Sequence, residues 1–280
     1  MKIGVVGAGL MGSGIAQTCS QAGYEAVNYD SYPDALTRAK AGVAKDMKKL
    51  VERGKFTEEH AESVEKRITY TSDIEDLREC GIIIEAIFED FEVKKSIFQQ
   101  LDAMMPSETI LCSNTSTISI TAIAACTNRP ERVMGTHFFS PVPVMKLLEL
   151  IRGMETSDET FKVVEEFGRN INKVVVNAPD FSGFITNRIL PLCGKENCKM
   201  IARGVSPEDF DKTMSALGRG SMSAMELADF SGLDVLHGCL KSLHAGLKME
   251  CYRTPLLLEQ MVESGYLGRK SGRGYFKYTR

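Results

Sequence analysis

No tryptophan occurs in the 280 residues, histidine appears four times and proline nine, and neither sign of charge dominates. The missing tryptophan excludes nothing. The missing basic excess does exclude something: 34 Lys and Arg against 37 Asp and Glu leave a formal net charge of −3. That balance argues against a general binder of nucleic acid or anionic membrane, although a few placed cations would suffice for a dinucleotide or a CoA-type ligand. No run approaches the roughly 18–20 apolar residues that span a bilayer. The opening MKIGVVGAGLMGSGIA is too rich in glycine for a secretory h-region and shows no cleavage site. The eight cysteines, at 19, 80, 112, 126, 193, 198, 239 and 251, form no CxxC or Cys/His ligand spacing. Reduced thiols in a cytoplasmic protein are expected, with no metal site and no disulfide framework.

What the chain does contain is strand–helix alternation. Apolar runs at KIGVVG (2–7), YEAVNYD (24–30), Ile68–Tyr70, GIIIEA (81–86), Thr109–Ser113 and Val133–His137 read as strands. Helical patterns separate them: after Gly12, over 34–53, from Thr57, over Lys94–Met105 and near 119–125. Such alternation predicts a doubly wound, Rossmann-type α/β sheet for about the first 180 residues. VVVNAPDFSG (174–183) reads as a last strand running into a connection. Beyond it the patterns are helical, with one doubtful strand in the tail at Tyr275–Tyr278. The expected organisation is a cofactor domain over 1–183 and an all-α domain over 184–280.

The first loop is the most specific local signal. Gly7-Ala8-Gly9-Leu10-Met11-Gly12 follows a strand, opens a helix and precedes Asp30 by about twenty residues, which is the dinucleotide fingerprint. Gly7 permits the tight turn, Gly9 clears space for pyrophosphate, and Gly12 lets helix and strand approach. The N–H groups at the helix start, at Leu10 and Met11, face the phosphates. Asp30 can accept from ribose hydroxyls and would repel a 2′-phosphate, and Ser31 and Tyr32 add no cation, so NAD is favoured over NADP. At this point a flavin- or nucleotide-sugar-binding Rossmann domain remains open.

Three polar segments end strands where such sheets bind ligands: Glu85–Glu89, Ser113–Ser116 and His137–Pro141. His137 closes an apolar strand and precedes two phenylalanines. Glu149 follows twelve residues later in apolar KLLELI, where a carboxylate is costly unless paired. Together they could form a base dyad for alcohol oxidation beside a nicotinamide. Spacing alone leaves equal room for a satisfied core histidine and a surface glutamate.

GAGLMGSGIA, IIEAIFED with Lys94, CSNTSTISIT, THFFSPVPVMKLLELI, GFITNRIL, MELADFSGLD and GYLGRKSGRGYF together closely resemble the 3-hydroxyacyl-CoA dehydrogenases, most of all the short bacterial 3-hydroxybutyryl-CoA dehydrogenases of butyrate-forming metabolism. The resemblance covers essentially the whole chain, in order. It implies reversible hydride transfer between NAD and an (S)-3-hydroxyacyl-CoA, with an acyl-CoA substrate and a homodimer formed largely through the helical domain. By match to the family's motifs, His137 is the catalytic base, Glu149 supports it, and Ser116 and Asn187 hydrogen-bond the reacting oxygen. The cofactor contacts are the glycine loop, Asp30, Glu89, Lys94, Ser116, the Ser140 position and Lys270. On residue chemistry alone Asn187 could instead be a helix cap and Lys270 a solvated lysine.

Four places depart from the family pattern. Ser140 stands where the family has a cofactor-contacting asparagine, and Ser182 where it has proline. Ser221-Met222-Ser223-Ala224 replaces a Pro-Met-Gly-Pro stretch, and Gly194-Lys195 interrupts a more apolar helix. A reshaped pocket could select a non-CoA hydroxy acid, as in L-gulonate 3-dehydrogenase-like proteins. A cofactor-binding paralog with little turnover is a third possibility. The cations of helix 34–53 (Arg38, Lys40, Lys45, Lys48, Lys49, Arg53) could meet CoA phosphates or simply face water.

Overall fold

A computed structural model describes residues 1–217 and 224–279. The chain divides into two compact units, Met1–Asp180 and Phe181–Arg280. The first unit contains eight strands in one sheet: β1 (Lys2–Val6), β2 (Glu25–Tyr29), β3 (Ile68–Thr71), β4 (Cys80–Glu85), β5 (Ile110–Ser113), β6 (Val133–Phe138), β7 (Leu147–Arg152) and β8 (Val174–Ala178). Their order is β3-β2-β1-β4-β5-β6-β7-β8. Every pairing is parallel except β6 with β7, where the sheet reverses direction. Between the strands run α1 (Leu10–Gln21), α2 (Pro33–Glu52), α3 (Glu58–Lys66), α4 (Phe91–Met104), α5 (Ile120–Ala124) and α6 (Asp158–Asn170). The expected doubly wound fold is borne out.

The sheet forms because its central strands are apolar on both faces. Ile82, Ile83 and Ile84 of β4 are fully buried, as are Ile3 and Val5 of β1, a pattern suited to parallel strands covered by helices on both sides. Each such side chain contributes about 1.5–3 kcal/mol on burial. The helices present one apolar stripe each. In α2, Leu36, Ala39, Val43 and Met47 face inward while the six cations named above are exposed. Caps fix several helix starts: the side chains of Thr57, Asp90, Ser119 and Ser157 accept N–H bonds from the first turn.

Strand β7 is the element that periodicity does not reveal. Leu148, Leu150 and Ile151 are fully buried and Glu149 nearly so. A short strand covered on both faces shows no alternation to read.

The second unit is helical: α7 (Thr186–Ala202), α8 (Pro207–Ala216), α9 (Ala224–Ser231), α10 (Leu233–Leu247) and α11 (Leu256–Glu263). Its core gathers Cys198, Leu233, Leu240, Leu243, Tyr252 and Leu258. The tail at Tyr275–Tyr278 is not a strand, which corrects the expectation from sequence. Arg273 makes only isolated bridges to Gly268 and Lys277. The tail's polar groups bond instead to the buried Asp229, which accepts from Tyr275 N–H, Phe276 N–H and the Tyr278 hydroxyl, each at 2.9 Å.

Two of the departures have local explanations. A methyl group at position 194 would lie 3.0 Å from Leu236, so glycine there admits α10. Lys195 is buried and donates to the carbonyls of Glu250 (3.2 Å) and Cys251 (2.6 Å). Ser182 packs on Gly246, whereas Ser221, Met222 and Ser223 lie outside the described residues.

Cys19, Cys80, Cys112, Cys126, Cys193, Cys198 and Cys251 are free thiols, and burial pushes Cys19 and Cys80 up to about 12. Among the described residues no cluster of ligating side chains could hold a metal, and no helix is long and apolar enough to cross a membrane.

Gly12 is the tightest point of the glycine loop between β1 and α1, because a β-carbon there would stand 1.9 Å from the Gly7 carbonyl oxygen. Gly12→Ala should therefore push α1 off β1, with a loss of stability of more than about 2 kcal/mol. Thermal unfolding measures it, and a Tm within a degree of the parent would contradict this packing.

Candidate active site

The glycine loop joins β1 to α1. Gly7 has φ +104°, a left-handed conformation that suits glycine, and its N–H donates to Tyr29 O at 2.7 Å. The helix starts at Gly9 without a side-chain cap, and its first internal bond is Ser13 N–H to Gly9 O at 2.9 Å. The N–H groups of Leu10, Met11 and Gly12 thus precede the ladder and form an anion-binding helix terminus. A β-carbon on Gly9 would meet no atom within 4 Å.

Asp30, just past β2, is tied to this loop. Its Oδ2 accepts from Ala8 N–H at 2.7 Å and its Oδ1 from Tyr32 N–H at 2.9 Å. Each carboxylate oxygen retains acceptor capacity for a ribose hydroxyl. A cleft of about 560 Å³ opens beside it, lined by Gly7, Asp30, Ile87, Val93, Ile97 and Gln100 among others. Asn28 is a participant that sequence reading overlooks. Fully buried, it donates through Nδ2 to Gly7 O (2.9 Å) and Val5 O (3.3 Å), binding the loop to β2. An asparagine inside an apolar strand is itself the signal, since a buried amide requires partners.

A second group lies at the ends of β4 and β5. Lys94 is completely buried, and its Nζ meets Glu85 Oε1 at 2.6 Å and Glu89 Oε2 at 3.5 Å. Glu85, also buried, further accepts from Ile87 N–H (2.8 Å) and the Ser113 hydroxyl (2.6 Å). Glu89 Oε1 accepts from the Thr115 hydroxyl (2.6 Å), Ser116 N–H (2.7 Å), Thr117 N–H (3.1 Å) and the Thr117 hydroxyl (3.2 Å). Glu89 therefore shapes the loop that carries Ser116.

The third group joins β5, β6 and β7. His137 and Glu149 are register partners across the antiparallel β6–β7 pair. His137 Nδ1 lies 2.7 Å from Glu149 Oε2, and Nε2 lies 3.1 Å from Ser116 Oγ. An ionised Glu149 can only accept, so Nδ1 carries the hydrogen and the Nε2 lone pair faces the Ser116 hydroxyl. Both His137 and Glu149 are buried, at 5% and 1% exposure. The Phe139 ring lies 4.4 Å from the imidazole, centre to centre, and Asn114 Oδ1 accepts from Phe138 N–H at 2.9 Å. Ser140 is exposed on the loop that follows.

Asn187 and Lys270 belong to the second unit. Asn187 is the second residue of α7, whose N-cap is Ile185, so it does not cap the helix. Lys270 sits in the turn Arg269–Ser271, and its ammonium is held by Asp234 at 2.6–2.7 Å.

Residues 2–181 match the family model described as 3-hydroxyacyl-CoA dehydrogenase, NAD binding domain, and residues 183–278 match the C-terminal domain model of the same name. The chain belongs to the 3-hydroxyacyl-CoA dehydrogenase family. It is 43% identical over 279 residues to a probable 3-hydroxybutyryl-CoA dehydrogenase of Deinococcus radiodurans, covering 99% of this chain and 100% of that protein. It is 41% identical to the 3-hydroxybutyryl-CoA dehydrogenase of Bradyrhizobium diazoefficiens, covering 99% and 95%. The crystal structure of (S)-3-hydroxybutyryl-CoA dehydrogenase from Ralstonia eutropha superposes with a TM-score of 0.95 at 38% identity, covering 100% and 99% of the two chains.

As a member of this oxidoreductase family the protein has an NAD-binding first unit, and the residues fit that cofactor. The uncapped helix terminus suits the pyrophosphate, the open space at Gly9 admits it, and Asp30 borders the adjoining cleft. Asp30→Ala would remove both the carboxylate acceptor beside the cleft and the bond to Ala8 N–H. NADH affinity should fall about 10–100-fold, within the range for losing charge-assisted hydrogen bonds. Its preference over NADPH should narrow with it. Fluorescence titration with both nucleotides measures this, and an unchanged NADH affinity would remove Asp30 from the site.

Proposed function

We propose that the protein interconverts (S)-3-hydroxybutyryl-CoA and acetoacetyl-CoA with NAD, with His137 as general base and general acid. The hydrogen-bonded series Ser116 Oγ–His137 Nε2 and His137 Nδ1–Glu149 Oε2 carries this reading. Bound NAD supplies an acceptor for the hydride leaving C3, and NADH supplies the donor in the reverse direction.

In the oxidative direction His137 Nε2 takes the proton of the 3-hydroxyl while Glu149 keeps Nδ1 protonated and stabilises the imidazolium that forms. In the reductive direction the same nitrogen returns the proton to the developing alkoxide. Ser116 can donate to the substrate oxygen. We assign Asn187 to the same task on the family match, as a second donor where negative charge develops. Phe139, whose ring lies against the imidazole, shields it from water on that side, which strengthens its pairing with Glu149. The cofactor contacts proposed are the glycine loop, Asp30, Glu89 and Lys94, with Ser140 and Lys270 assigned on the family match alone. The short-chain CoA thioester is favoured over a free hydroxy acid by full-length identity above 40% to proteins named 3-hydroxybutyryl-CoA dehydrogenase.

The helical unit is proposed to mediate a homodimer. Ile189, Leu190, Phe230, Val235 and Leu256 are each more than half exposed there, and large exposed apolar side chains favour coverage by another surface. Light scattering should return twice the chain's mass, and a monomer at micromolar concentration would refute the assignment.

The activity is tested by NADH oxidation with acetoacetyl-CoA, followed by a panel of longer 3-oxoacyl-CoA thioesters and free hydroxy acids. Turnover should be highest on the short thioester. No turnover at high enzyme concentration would sink this reading, and activity confined to free acids would redirect it. His137→Gln should lower kcat by about 10²–10⁴, as for the loss of a general base. Near-normal kcat in that variant would remove His137 from the chemistry.

A further inference from the structure

One buried cation of the first unit belongs neither to the relay of Ser116, His137 and Glu149 nor to the cofactor loop. Lys173 lies in the turn between α6 and β8 and is 8% exposed. Instead of a carboxylate, its Nζ meets two main-chain carbonyls, Val142 O at 2.5 Å and Met145 O at 2.8 Å. Burial pulls its pKa below the usual lysine range, because the ammonium pays a desolvation penalty at this position.

The two carbonyls belong to the loop 139–146 that joins β6 to β7. Val144 N–H and Met145 N–H both donate to Pro141 O at 3.0 Å, so the loop winds into one tight turn. Its open carbonyl end is where the Lys173 ammonium sits, the favourable position for a cation at the end of such a turn. The neighbouring backbone is tied in as well, with Val174 N–H donating to Lys146 O at 2.7 Å.

This loop has functional surroundings on both sides. Phe139 at its start lies against the His137 imidazole, and Glu149 follows its end by three residues. Val142 is buried against α1, where a β-carbon on Gly14 would come within 3.1 Å of it. α1 is the helix whose N-terminus forms the dinucleotide site. The turn thus touches both the proposed base and the cofactor helix.

We propose that Lys173 is a positioning residue, holding the 139–146 turn closed so that His137 is set against Glu149 and α1 is seated for the cofactor. The effect on turnover rests on the function proposed above, whereas the effect on α1 does not.

Lys173→Met keeps the aliphatic stem and removes the ammonium. Lys195→Met is a matched control, since Lys195 also donates to two carbonyls while buried, but in the second unit. Three quantities are measured for each variant and the parent: Tm, NADH affinity by fluorescence titration, and kcat with acetoacetyl-CoA well below Tm. Both variants should lose Tm. Only Lys173→Met should lose kcat, by about 10–100-fold, the scale expected when reacting groups are misplaced by an ångström or less. Its NADH Kd should rise at least about 3-fold, while Lys195→Met stays within about 2-fold of the parent on both, a shift under about 0.5 kcal/mol. Lys173→Met with parental kcat and Kd, or indistinguishable from Lys195→Met, would overturn the proposal. Should Lys173→Met fail to fold, Val142→Ala is read by the same criteria, because it loosens the turn from α1 with Lys173 intact. If the parent turns over no acyl-CoA while NADH affinity still responds to Lys173 alone, the activity reading fails and the clamp on α1 stands.

Discussion

An imidazole facing a carboxylate across two antiparallel strands is the contact on which the site depends. β6 closes the parallel part of the sheet and β7 runs back beside it, so residues twelve apart in the chain become direct partners. The pairing tolerates no slip, because a shift of one residue would turn Glu149 to the opposite face of the sheet. Leu148 and Leu150, fully buried on either side of Glu149, hold the register in place. A carboxylate so enclosed needs a polar partner, and the imidazole supplies one, so packing and proposed chemistry are bound into one arrangement.

Around that contact the first unit also buries polar and charged side chains within its apolar core. Lys94 between Glu85 and Glu89 is the clearest case. Such a cluster is weak evidence for stability, but losing one member leaves an uncompensated buried charge, at a cost of about 3–5 kcal/mol. The consequence for the site is geometric. Glu85 reaches Ser113, and Glu89 gathers Thr115, Ser116 and Thr117, so the ends of β4 and β5 are tied together. Asp30 and Asn28 tie the glycine loop to β2 in the same manner. These loops are thereby anchored to the sheet.

Most of the fold was legible from local pattern. Parallel strands buried on both faces appear as β-branched runs, and the glycine spacing before a helix has one dominant use in such a sheet. β7 was not legible as a strand, because its apolar residues show no alternation and its partner is set by a reversal of direction that no local signal marks. The tail was misread for a related reason. Tyr275 and Phe276 have strand-like chemistry, but their N–H groups bond to the carboxylate of Asp229 rather than to a neighbouring strand. Gly194 and Lys195 looked like interruptions of a helix, and only the neighbouring α10 and the carbonyls of Glu250 and Cys251 explain them.

The sequence by itself determined the class of fold, the NAD-binding character of the first unit, and the family, because these are written in residue types at fixed short spacings. Tertiary structure alone decided that His137 meets Glu149 and Ser116, that Glu89 organises the Ser116 loop, and that Lys173 closes the turn between β6 and β7. Those contacts join residues 12 to 31 positions apart. At such separations the chain's local preferences are silent, and only the order and direction of the strands bring the groups together.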